Sequence, residues 1–95
     1  MTRADPRQLQ ILKQGPDAWN AWRVENPGIK PCVAGGDLQN IDLAGANLEG
    51  ADLFGMNLLR VDLEGANLRG VDLRRANLRE ANLNDVDLRG AQLYR

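Results

Sequence analysis

Histidine and serine are absent from these 95 residues, and cysteine occurs once, as Cys32. Without histidine, metal centres and catalytic triads built on imidazole are excluded. Without serine there is no serine nucleophile. One cysteine permits no internal disulfide, which fits a reducing cytoplasm. Cys32 itself reads as an inert occupant of a polar slot rather than a reactive thiol. Aromatic side chains are scarce and limited to Trp19, Trp22, Phe54 and Tyr94. No apolar run is long enough for a transmembrane helix. The opening MTRADPRQLQ lacks the apolar centre of a signal peptide, so the expected location is cytoplasmic, with no membrane contact. No G-x-x-x-x-G-K phosphate loop occurs. The formal net charge of −1 selects no partner.

What the sequence does have is leucine at every fifth position. Leucines stand at 38, 43, 48, 53, 58, 63, 68, 73, 78, 83, 88 and 93, with Val33 one step earlier. A helix advances about 100° per residue, so a spacing of five scatters these side chains around it. A flat strand sends them to alternate faces. The chain keeps them together only by bending once per five residues. Two positions before each leucine stands a small or apolar residue, as at Met56, Val61 and Ala66, which shares the inward direction. Asp or Asn immediately precedes the centre in eleven of thirteen units, with Cys32 and Gln92 the exceptions, and seven units end in glycine. Asp and Asn bond readily to nearby backbone, and glycine accepts the positive φ that tight turns need. The unit is two inward residues, a polar residue between them, and a corner.

Units such as GANLE, GADLF, GANLR and GVDLR resemble the A-(D/N)-L-x-x unit of the pentapeptide repeat family, over residues 31–95. The resemblance implies an all-β solenoid: a right-handed quadrilateral β-helix with four units per coil and about three coils in this chain. Residues twenty apart then stack in columns, for example Leu43, Leu63 and Leu83.

Residues 1–30 lack the rhythm and read as a small α-helical N-terminal cap, leaving 31–95 as the β-helix domain. Asp5-Pro6-Arg7-Gln8 has the form of an N-cap, a first-turn proline and a Gln at the third helical position. Leu9 and Leu12 share a helix face. Gly15-Pro16 interrupts, Asp17 to Glu25 reads as a second short helix, and Asn26-Pro27-Gly28 as a turn. Trp19 and Trp22 are expected to cover the leucine core of the first coil, because terminal repeats need caps. The run W-N-x-W-R, Trp19 to Arg23, resembles a leader found in some cyanobacterial members of the family.

The carboxylates sit mostly before the centre, interchangeable with Asn, which cannot act as general acid or base. Backbone bonding explains them, and no catalytic residue, metal site or cofactor is expected. Charge is polarised along the chain. Residues 31–66 carry six acids against Arg60, a balance of −5, and residues 67–95 carry six arginines against four acids, a balance of +2.

The expected function is a non-enzymatic scaffold or protein-binding module. It takes a protein partner, or a second copy in a homodimer, through its final coil, which has no helix to cover it. Phe54 and Tyr94 are aromatic, and Leu59 apolar, where the pattern is polar. With Arg74, Arg75, Arg79 and Arg95 they form the candidate interaction surface. The resemblance also permits the DNA mimicry by which some members inhibit DNA gyrase. A duplex segment as tall as this solenoid, about 16 Å, carries about nine phosphates, far more than a repeat region of −3 imitates. Direct nucleic-acid binding by the arginines is a weaker reading still, because few aromatics interleave with them.

Overall fold

The computed structural model describes residues 4–94. Two helices, α1 (Pro6–Lys13) and α2 (Pro16–Glu25), come first. Parallel bridges follow, pairing Cys32 with Asp52, Asp37 with Asn57, Asp42 with Asp62 and Asn47 with Asn67. The step of twenty residues continues to Asp72 with Gln92. Four five-residue units therefore close one coil. Each of its four faces contributes a single bridging residue, the one before the leucine.

Three bonds per unit hold adjacent coils, one of them at the corner, where the N–H of Asn40 donates to Leu59 O at 2.8 Å. The N–H of Leu38 donates to Asn57 O at 2.9 Å, and the N–H of Asn57 donates back to Gly36 O at 2.9 Å. This ladder brings the leucines of successive coils over one another. Leu38, Leu43, Leu48, Leu53, Leu58, Leu63 and Leu68 are buried to 1% exposure or less, with Met56, Val61, Ala66 and Val71 beside them. The expectation that all twelve leucines lie inside holds only where a coil or helix covers them. Leu78, Leu83 and Leu88 are partly buried, and Leu93 is 52% exposed.

The corners follow from the polar residues. All eleven Asp and Asn side chains before the centres accept the backbone N–H two residues on, from Gln39 N on Asp37 to Arg89 N on Asp87. The centre carbonyl then accepts from three residues on, as Ala66 N donates to Leu63 O at 2.9 Å. The third residue of that turn has positive φ, 70° at Gly65, which is the type II signature. Where the sequence has no glycine there, an ordinary residue takes the left-handed conformation, as Arg75 does at φ 61°.

The helices close the first coil with side chains in place of ladder strands. Asp5 is the N-cap of α1, and its carboxylate accepts Arg7 N–H at 2.9 Å. Gln8 stands at the third helical position but does not reach back to the cap. It is buried, and its Oε1 accepts Cys32 N–H at 2.7 Å, while Asp5 N–H donates to Cys32 O at 2.9 Å. Cys32 has no coil before it, so α1 supplies the donor and acceptor that a coil would bring. On the Asn47 face α2 does the same. Asn20 accepts Asn47 N–H at 2.7 Å, and Trp19 Nε1 and Arg23 Nη1 donate to Asn47 O at 2.7 and 3.0 Å. Trp19 is fully buried, joins Leu12 in the core, and stacks on Trp22 with ring centroids 5.1 Å apart. Gly36 is small for a steric reason: a Cβ there would lie 3.0 Å from Leu9 Cδ1 and 3.2 Å from Met56 Sδ.

Two outcomes test this packing. Leu63→Ala is expected to cost about 2–5 kcal/mol, read as a lowered denaturant midpoint, because Leu63 has neighbours above and below. A loss under about 1 kcal/mol contradicts the leucine core. Gly65→Ala is expected to cost about 1 kcal/mol although the space around it is empty, and Arg75→Gly to gain a similar amount, since backbone conformation alone decides both.

Candidate interaction face

The twenty-residue register gathers the candidate residues around one face of the solenoid. Phe54, Arg74 and Tyr94 form one corner column, with Arg75 next to Arg74. Leu59 and Arg79 form the column at the next corner. Between them run the bridge residues Asp37, Asn57 and Asn77. Arg95 lies outside the described residues. Phe54 and Tyr94 are exposed, at 38% and 66%, whereas Leu59 is half-buried and offers less outward apolar surface than its slot implies.

The column of Phe54 and Tyr94 has an arginine in its middle, held in place. Arg74 Nε and Nη2 donate to the two carboxylate oxygens of Asp72 at 2.9 and 2.8 Å, and the Arg74 backbone N–H adds a third bond at 3.0 Å. The guanidinium carbon lies 5.5 Å from the centre of the Phe54 ring, within cation–π range. The side-chain bond from Arg74 lowers the Asp72 pKa, and the same bond raises that of Arg74. The fork repeats at Arg89, whose Nε and Nη2 reach Asp87 at 2.9 and 2.7 Å. The bond from Arg89 holds the Asp87 carboxyl down to about 2, from an ordinary 3.8, with Arg69 adding a smaller pull.

Both forks share the local sequence Asp-Leu-Arg, at residues 72–74 and 87–89, a signal that a charge count misses. The corner turn brings position i+2 back over position i, so an arginine there meets its own unit's carboxylate. The arginine-rich half is thus less available than its composition implies. Arg74 and Arg89 are forked, Arg69 lies 3.8 Å from Asp87, and among the described residues Arg75 and Arg79 make no ion pair. The amide ladder is a second feature that composition does not show: Asn77 Nδ2 donates to Asn57 Oδ1 at 3.4 Å.

Below this face lies the open end of the last coil. The N–H groups of Leu58, Leu63 and Leu68 donate to the carbonyls of Asn77, Asn82 and Asp87, but those of Leu78, Leu83 and Leu88 donate to no backbone carbonyl among the described residues. A cleft of about 490 Å³ opens there, lined by Arg75, Ala76, Asn77, Leu78, Arg79 and Leu93. Among the described residues, backbone donors without backbone partners, the apolar floor of Leu78 and Leu93, and the cations Arg75 and Arg79 without ion pairs meet at this end. No group of three or more metal-ligating side chains occurs among the described residues.

The Pentapeptide repeats family model matches residues 34–70 and 57–93, with eight copies, which is more than half of the chain. Among solved structures, the pentapeptide repeat protein Rfr23 from the cyanobacterium Cyanothece 51142 is 36% identical, with a TM-score of 0.59. The match covers 66% of this chain and 47% of that one, so this chain spans about half the length of that relative. The pentapeptide repeat protein alr5209 from Nostoc Pcc 7120 is 33% identical over 70% of this chain and 68% of that chain, with a TM-score of 0.31. No curated protein matches this chain.

Acid should loosen the solenoid through the forked carboxylates. Both folded pKa values are depressed, so the stabilisation is complete above the unfolded value near 3.8 and is lost as pH falls below it, for Asp87 toward about 2. The denaturant midpoint is expected to drop between pH 5 and pH 2, less steeply in Asp87→Asn and less steeply in high salt.

Proposed function

This chain belongs to the pentapeptide repeat family, and we propose that within it the protein is a non-enzymatic scaffold that binds a protein partner, or a second copy of itself, through its C-terminal coil. In this reading residues 31–95 form a right-handed quadrilateral β-helix of about three coils, and residues 1–30 form its helical N-terminal cap. The observation that carries the reading is the difference between the two ends. Gln8, Trp19, Asn20 and Arg23 occupy ladder groups of the first coil, while among the described residues the ladder donors of Leu78, Leu83 and Leu88 have no backbone partner and Leu93 is half-exposed. Unpaired edges of this kind favour association.

A cytoplasmic location belongs to the same proposal. Cys32 is a free thiol, and no helix among the described residues is long and apolar enough to cross a membrane. The nucleic-acid reading loses support from the arginine forks, which neutralise part of the basic patch. DNA mimicry loses support from the same arginines, since they set positive charge where a duplex surface has none.

Light scattering behind gel filtration at micromolar concentration is expected to give about twice the chain mass, falling to the monomer when Leu59 and Tyr94 are both replaced by alanine. A wild-type protein that stays monomeric removes self-association. A pull-down in which wild type retains nothing that a Leu59, Tyr94 and Arg95 variant releases removes the partner.

A further inference from the structure

We propose that a second copy of this chain docks, turned end for end, against the side of the tube that carries Asp37, Asn57 and Asn77, so that Asp37 of each copy sits between Arg75 and Arg79 of the other. The inference rests on the self-association branch of the scaffold reading and gives that contact a face and an orientation.

The face is a side of the tube, so a further coil at either end leaves it uncovered. Its bridge residues climb one level at a time, from Asp37 to Asn57 to Asn77. The corners of the middle coil hold, in chain order, Phe54, Leu59, Glu64 and Arg69. Only the side with Asn57 therefore has a large apolar residue at both of its corners. Phe54 is exposed, Leu59 is half-buried, and Asn57 lies between them.

Charge selects the orientation. The level below carries an acid. The Asp37 carboxylate accepts Gln39 N–H and Nε2 at 3.2 Å, is exposed, and makes no ion pair among the described residues. The level above carries Arg75 and Arg79, one on each side of Asn77, both exposed and without an ion pair among the described residues. If two such faces meet with their tubes parallel, arginine faces arginine and Asp37 faces Asp37. A half-turn about an axis lying across the face at Asn57 exchanges the outer levels instead. Phe54 then meets Phe54 and Leu59 meets Leu59 of the other copy, and each Asp37 enters the space between two arginines. The contact is the same on both copies and closes at two. Its apolar middle excludes water, which strengthens the charge pairs above and below it. The adjoining side, with Asp42 and Asp62 in its column and Glu64 at its corner, sets acid against acid in the same arrangement.

Sedimentation velocity of the full 95-residue chain over a micromolar concentration series reads the dimer. Asp37→Arg, and separately Arg75→Glu with Arg79→Glu, set like charges together and should each weaken it about tenfold or more. Glutamate suits the left-handed corner of Arg75, since Glu80 takes the same conformation at φ 59°. An equimolar mixture of the two variants pairs opposite charges again and should recover a dimer with one copy of each. A parallel pair does not weaken in either variant, because each reversal exchanges one like-charged contact for another. If Asp37→Arg fails to fold, Asp37→Asn keeps the corner bond that Asn57 and Asn77 make in the same column, and should weaken the dimer about threefold. Variants that dimerise as wild type does, or a mixture no stronger than either variant alone, overturn the proposal. If these charges have no effect while the Leu59- and Tyr94-dependent dimer persists, this inference falls and the scaffold reading stands. A wild type that stays monomeric removes self-association and this inference with it, and leaves the protein partner.

Discussion

The backbone ladder between residues twenty apart is the constraint on which everything else here depends. Each face of a coil makes only one bridge, so no face is a strand that holds by itself. Leu38 N–H needs Asn57 O, and Asn57 N–H needs Gly36 O. The leucine columns exist because the ladder aligns them, and the ladder persists because those leucines exclude water from the tube. Buried backbone groups without partners are costly, so a structure built this way is most exposed at its ends.

The N-terminal end meets that difficulty with side chains. A glutamine, an asparagine, a tryptophan and an arginine from two short helices occupy groups on the Cys32 and Asn47 faces. Trp19 performs two tasks at once: its ring roofs the leucine core, and its indole nitrogen donates to the first-coil edge. The same economy appears at Gly36, where the missing side chain makes room for Leu9 from the helix and the Met56 thioether from the next coil.

Much of the solenoid was legible because its rules are local. The five-residue leucine spacing implies the corner, the preceding Asp or Asn implies the bond two residues on, and glycine marks the positive φ. The helix boundaries were legible from Asp5-Pro6 and Gly15-Pro16. The targets of Gln8, Asn20 and Arg23 were not, because these are contacts from side chain to backbone across more than twenty residues, with no periodicity to announce them. Phe54 and Tyr94 fell into one column once the coil length was supplied by resemblance. The clamped state of Arg74 lay within reach of the sequence, since Asp72 stands two positions before it, but a tally of net charge conceals it. The exposure of Leu93 follows from its place at the last level, not from its spacing, which matches that of every buried leucine.

The twenty-residue step has one more consequence. Removing a single five-residue unit from the middle of the tube leaves every turn and every local bond type possible, yet it rotates all that follows by a quarter of a revolution. Phe54 would then lie under Arg79 rather than Arg74, and the aromatic and cationic groups of one surface would be dealt out to different sides. Removal of four units shortens the tube and leaves its sides unmixed. Length changes that preserve a patterned side are therefore quantised in whole revolutions, although the motif itself repeats four times as often.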